Sequence, residues 1–227
     1  MNQSDKLPRY SHGPVGKFYK KIAWNNGYED WNLIRINTHA DGHCLFHAIA
    51  NAFFIPYYTE TLNGNKIERT EIVKQMRKEF AEKLSSPVSD KNPKTHYETI
   101  NCGKTAEFPV FQDLPEYNYS LENMKKQLNS DNYIGYGYIE YISNALDKNI
   151  YILEERSQDL YPFEKTELLN MYKKNRSSIV LYAIESNPYD HYELVGIMNN
   201  GIIDSHFSPD HTLIKFLYNK VLERTRS

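Results

Sequence analysis

Charge of one sign, long apolar runs and cysteine are all scarce in this chain of 227 residues. Lys and Arg number 27 against 29 Asp and Glu, a formal net charge of −2. Without a basic block, binding driven by attraction to phosphates is not expected, so no nucleic-acid partner is assigned. No apolar run reaches the ~18 residues that span a bilayer, and no membrane association is expected. The opening MNQSDKLPRYSHGP is polar and lacks the apolar stretch of a secretory signal. Two cysteines, Cys44 and Cys102, do not make a disulfide framework. The expectation is a soluble, cytoplasmic, globular protein of one elaborated domain, with its oligomeric state left open.

What is present is enough for a core: 40% hydrophobic against 25% charged residues. Asn (22) and Tyr (19) are abundant, as in an AT-rich coding sequence. A pathogen origin would fit that bias and would place the protein in the host cytosol. Tyr-rich surfaces also suit protein binding, and composition does not separate the two readings.

Residues 1–20 hold Pro8, Gly13, Pro14 and Gly16 with little apolar periodicity and read as a tail, with 1–30 as tail and approach. WNLIRIN (31–37) is a strand candidate. Leu45, Ala48, Ile49, Ala52 and Phe53 recur at the spacing of a buried helix face, which should end before Pro56. Ile72, Met76, Phe80 and Leu84 mark a second helix, Ser120–Leu128 a short third, and Tyr138–Leu146 a fourth. Four prolines make 86–117 an irregular connection, with short structure allowed over 98–108. NIYILEE (149–155), IVLYAI (179–184) and HYELVGIM (191–198) are strands, and Asn200–Gly201 signals a tight hairpin. Ser208 and Pro209 look like the cap and first position of a final helix within 206–227. The expected class is α+β, a small, mostly antiparallel sheet flanked by helices.

The chemistry concentrates in Asp41-Gly42-His43-Cys44-Leu45-Phe46-His47, at the entry to the best helix. A thiol there gains from the helix N-terminal dipole, which lowers its pKa. Gly42 lets the preceding turn adopt unusual dihedrals, so that the backbone N–H groups of Asp41, Gly42, His43 and Cys44 can converge as an oxyanion hole. A nucleophilic Cys needs a base, and His191 in Asp190-His191-Tyr192-Glu193 is the candidate. Glu193, two residues on and so on the same strand face, could orient the imidazole. A lone Cys is more often an inert core residue, which makes its neighbours decisive. His43 and His47 have the i, i+4 spacing of zinc ligands, but no HExxH or second Cys pair accompanies them, so neither metal nor cofactor is expected. Cys102 reads as incidental, His206 and His211 as solvated surface, and Trp24 and Trp31 as packing residues.

The run DGHCLFHAI (41–49) resembles the nucleophile motif of the OTU (ovarian tumour) family of cysteine proteases. Two further blocks follow in the family's order. GYGYIEYISNALDKNIYIL (135–153) is similar to its Gly-rich opening, helix and strand, and HYELV (191–195) to its His-bearing strand. The resemblance covers about residues 31–205, taken as the catalytic domain, with 155–178 as an insertion.

The resemblance implies an OTU-type papain-like fold and a thiol hydrolase that releases ubiquitin from substrates or from other ubiquitins. Carried over by residue, Cys44 is the nucleophile, His191 the general base, and Asp41 the motif acid that holds the catalytic loop. Many members carry Asn or Asp two residues after the His, where this chain has the longer Glu193. The implied partner is ubiquitin or polyubiquitin. The alternatives are a catalytically weak, ubiquitin-binding OTU domain and a protease for a ubiquitin-like modifier.

Overall fold

The computed structural model describes residues 10–11, 19–103, 118–134, 137–163, 165–185 and 191–226. Asp190, residues 135–136 and the side chain of Cys102 lie outside them, as does 104–108 within the stretch allowed short structure.

In chain order, strands β1 (Tyr10–Ser11), β2 (Tyr19–Lys21) and β3 (Leu33–Ile36) lead into helices α1 (Cys44–Phe53) and α2 (Ile55–Thr59). A small hairpin, β4 (Thr61–Leu62) and β5 (Asn65–Lys66), precedes α3 (Arg69–Lys83). A second hairpin, β6 (Pro87–Ser89) and β7 (Asn92–Thr95), runs into α4 (His96–Thr99) and a 3₁₀ turn over Ile100–Gly103. Then come α5 (Leu121–Leu128), α6 (Gly137–Leu146), β8 (Asn149–Glu154), β9 (Asp159–Leu160) and α7 (Lys165–Met171). Strands β10 (Ser178–Ile184), β11 (His191–Asn199), β12 (Ile202–Asp204) and β13 (His206–Phe207) precede the final helix α8 (Thr212–Arg226). No described helix is long and apolar enough to cross a membrane.

Nine strands form one sheet along the order β1-β12-β11-β10-β8-β9, with β2 and β3 joined through β11 and β13 through β10. Among the described residues only β8 and β10 pair in parallel; the other pairs of this sheet are antiparallel. The parallel pair is buried on both faces and its apolar runs are nearly continuous, as parallel strands require. Along β11, Leu194 pairs with Leu181 of β10 and with Ile36 of β3, so this strand lies inside the sheet. Its register is set by the turn at Asn200 and Gly201, whose φ values of 51° and 78° are those of a two-residue hairpin loop. That register puts His191 at the open end of β11, with Glu193 and Val195 on the same face.

Helix α1 is apolar almost all round and lies in the core, packed on β11 and α3. The chain leaves it at Phe54, which is extended, and turns helical again with Pro56 in the first turn of α2.

The structure departs from expectation at both ends of the chain. The N-terminal stretch is not wholly a tail: β1 pairs with β12, β2 with β3, and Ile22, Trp24 and Tyr28 are buried in the core. Strands of two and three residues are too short to show a period. The final helix begins at Thr212 rather than at Ser208–Pro209, because β13 extends the sheet through Phe207 and a turn bonds His211 N–H to the Ser208 carbonyl. His206 is not solvated surface but half-buried, with Nε2 3.0 Å from Lys148 Nζ and its ring against Phe53.

Candidate active site

Cys44 is the first residue of α1, 5% exposed, and its neighbours come from both ends of the chain. The backbone N–H groups of Tyr192, the residue after His191, of Leu45 and of Cys44 itself lie near enough to its sulfur to favour the thiolate. The packing of α1 on β11 thus brings the nucleophile candidate to the strand end that carries the base candidate. The thiol is not depressed as a helix N-terminus alone would suggest. Burial pushes it up, the nearby N–H groups pull it back only in part, and the Asp41 carboxylate adds to the rise.

The turn ahead of Cys44 is held by an interlocking set of side chains. Asp41 Oδ1 accepts the His43 N–H at 3.0 Å, and Oδ2 accepts His47 Nε2–H at 3.0 Å. Tyr57 from α2 then donates its hydroxyl to His47 Nδ1 at 2.8 Å. Burial alone would raise Asp41, yet the bond and charge of His47 and the His43 N–H bring it below the usual carboxylate range. Burial keeps His47 below the ordinary histidine range despite that carboxylate. Because the His43 N–H is already bonded to Asp41, it is not a free oxyanion donor, contrary to the expectation for that residue. Gly42 sits at φ +83°, where a Cβ would meet the Asp131 carbonyl oxygen at 2.2 Å.

Below this turn lies Arg77 of α3, 1% exposed. It donates to the carbonyls of Leu128 (3.1 Å), Gln127 (2.6 Å) and Asn132 (2.9 Å), to Gly42 O at 3.4 Å, and to His43 Nδ1 at 3.0 Å. Its ring nitrogen so engaged, His43 turns Nε2–H toward Asp131 at 3.4 Å. Burial first, then the Arg77 charge, hold this histidine below its ordinary pKa. Both histidines spaced like zinc ligands therefore spend their ring nitrogens on protein partners. Arg77 was missed in the sequence, although a signal existed: it shares with Val73, Phe80 and Leu84 an otherwise apolar face.

Glu193 does not meet His191. Its carboxylate lies 3.5 Å from Arg35 Nε, and a second Arg35 nitrogen lies 3.5 Å from Glu155. The strand register explains this, because Arg35 pairs with Val195 and Tyr182 with Glu193, all on one face. The guanidinium rests over the Tyr182 ring, 5.0 Å from its centroid. Burial raises the Glu193 carboxyl, and Arg35 opposes the rise. His191 instead has the Thr38 hydroxyl 3.4 Å from Nε2, while that hydroxyl also donates to the Tyr192 carbonyl at 2.5 Å. Thr38 lies between β3 and the Asp41 turn, and nothing in the sequence pattern marked it. Burial, and then the Arg35 charge, hold His191 below the ordinary histidine range.

Residues 39–192, well over half of the chain, match the family described as OTU-like cysteine protease. The chain belongs to that family. Its matched region begins one residue before Ala40 and ends at Tyr192, so it contains Asp41, Cys44 and His191 and stops just short of Glu193. No curated protein matches the chain. Among solved structures, one described as an ovarian tumour (OTU) domain in complex with ubiquitin aligns over 93% of this chain and 94% of that one, with 16% identity and a TM-score of 0.45.

Proposed function

We propose that this OTU-like protein is a deubiquitinase, hydrolysing the isopeptide bond at the ubiquitin C-terminus with Cys44 as nucleophile and His191 as base. The observation that carries the reading is the meeting of two distant segments, in which α1 packs on β11 and the backbone N–H next to His191 faces the Cys44 sulfur. The motifs around both residues, in the family's order, support it.

In this mechanism His191 takes the thiol proton as Cys44 sulfur attacks the carbonyl carbon of the scissile bond. The backbone N–H groups of the turn leading into Cys44, that of Gly42 among them, stabilise the oxyanion, whereas the His43 N–H is committed to Asp41. Collapse breaks the C–N bond, and His191 returns the proton to the departing lysine amine. Water, deprotonated by the same histidine, then hydrolyses the thioester. Burial holds the thiol up and the His191 ring down in the free protein, which favours the neutral pair over the ion pair. Asp41 acts on the loop, not on the proton.

The test is hydrolysis of the eight diubiquitin linkage types by the purified full chain, with a panel of ubiquitin-like conjugates alongside. Cleavage of ubiquitin chains that is lost in Cys44→Ala supports the reading. Cleavage confined to a ubiquitin-like conjugate would move the substrate. Ubiquitin binding without turnover would leave a binding module.

A further inference from the structure

A histidine that takes a proton from a thiol needs a lone pair on one ring nitrogen, and its other N–H must be tied to an acceptor or the ring rotates away. Glu193 faces Arg35 as an ion pair at 3.5 Å, with its Oε2 making no hydrogen bond to His191, and so does not supply that acceptor. At Nε2 of His191 the polar neighbour is the Thr38 hydroxyl, 3.4 Å away. A hydroxyl has one hydrogen, and a carbonyl oxygen can only accept. The 2.5 Å contact with the Tyr192 carbonyl therefore takes the Thr38 hydrogen, and toward His191 the hydroxyl oxygen can only accept. Nε2 must then carry the ring hydrogen, which leaves the lone pair on Nδ1.

We propose that Thr38 is the positioning residue of His191, fixing its Nε2–H tautomer, and that Glu193 instead neutralises Arg35. The proposal rests on the reading of Cys44 and His191 as the reacting pair. Two further features support it. Burial and the Arg35 charge favour the neutral ring, the state in which a tautomer has meaning. Thr38 also bonds the carbonyl of the residue whose N–H faces the Cys44 sulfur, so one hydroxyl sets both the ring and the backbone beside the thiol. A neutral acceptor orients the imidazole without stabilising its cation, which separates this role from that of a carboxylate in a triad.

The experiment has two arms on the full chain. In the first, ¹⁵N NMR of histidine-labelled protein reads the His191 tautomer, with the resonances assigned by their loss in His191→Gln. The parent and Thr38→Ser should hold hydrogen on Nε2, and Thr38→Val should shift toward mixed tautomers. In the second, turnover of a ubiquitin C-terminal fluorogenic substrate is followed. Thr38→Val should lower kcat roughly tenfold to a hundredfold with KM within about twofold, Thr38→Ser should recover to within about threefold, and Glu193→Gln should lose less than Thr38→Val. Hydrogen on Nδ1 in the parent overturns the proposal, as does a Thr38→Val protein that matches the parent in tautomer and kcat. Should Thr38→Val not fold, the parent and Thr38→Ser spectra still decide. Should the parent cleave no ubiquitin substrate, the functional reading fails by itself while the tautomer arm still tests Thr38.

Discussion

Nη1 of Arg77 donates to Nδ1 of His43 across 3.0 Å, placing a buried guanidinium against the residue that precedes Cys44. The same side chain gathers the carbonyls of Gly42, Gln127, Leu128 and Asn132. Arg77 is thus the tie between α3, the end of α5 with the segment after it, and the nucleophile turn. A planar fork can reach several acceptors at once, which a lysine ammonium cannot.

Arg77→Met is expected to cost about 3 kcal/mol of stability, because it leaves buried acceptors without donors. Arg77→Lys should recover only part of this. Urea denaturation measures the loss, and turnover at a temperature where the variant stays folded should fall as well, since the Gly42–His43 turn loses its support.

Gly42→Ala should impair activity more than its size suggests. The backbone there is left-handed, and the added methyl carbon would fall 2.2 Å from the Asp131 carbonyl oxygen. Either the turn or residues 131–132 must move, and the oxyanion donors move with it. A fall in kcat of at least about tenfold, with little change in far-UV circular dichroism, is the expected result.

Much of this was legible in the chain. The i, i+3, i+4 recurrence from Leu45 located α1, and the Asn200–Gly201 signal located the hairpin that sets the register of β11. Asp41 holds the turn ahead of Cys44, and the backbone beside His191 reaches the Cys44 sulfur. Glu193 shows where such reading stops. A period of two correctly puts it on the face of His191, but the neighbour across the sheet is invisible in one strand, and β3 brings Arg35 there instead. Thr38 is a single hydroxyl in an irregular segment, with no period or motif to expose it. The N-terminal strands were hidden for a related reason: two or three residues paired to distant partners leave no local pattern.

The pH dependence of kcat/KM should reflect the depressed His191. Its folded pKa lies below the ordinary histidine range, so the ring remains an available base at lower pH than a free imidazole. The acid limb should therefore lie below the usual imidazole value. Arg35→Met removes the cation that disfavours protonation and should move that limb upward, whereas an unmoved limb would detach Arg35 from the base.

His206 should make stability fall on the acid side. Burial and then Lys148 bring its pKa down from 6.5 to about 4 in the folded protein. Between those values the unfolded chain binds more protons, so the stability present above about pH 6.5 is lost as pH falls toward 4. The loss should be of order 2–3 kcal/mol, read from denaturation midpoints across that window. His206→Gln should flatten the dependence between these two pH values.

The central claim is that Cys44 alone carries the chemistry on ubiquitin. Its most direct test is reaction of the full chain with ubiquitin bearing a C-terminal electrophile, with the modified residue mapped by mass spectrometry. One adduct on Cys44, absent in Cys44→Ala and intact in Cys102→Ala, is the predicted result. An adduct on Cys102, or labelling that persists in folded Cys44→Ala, would contradict it.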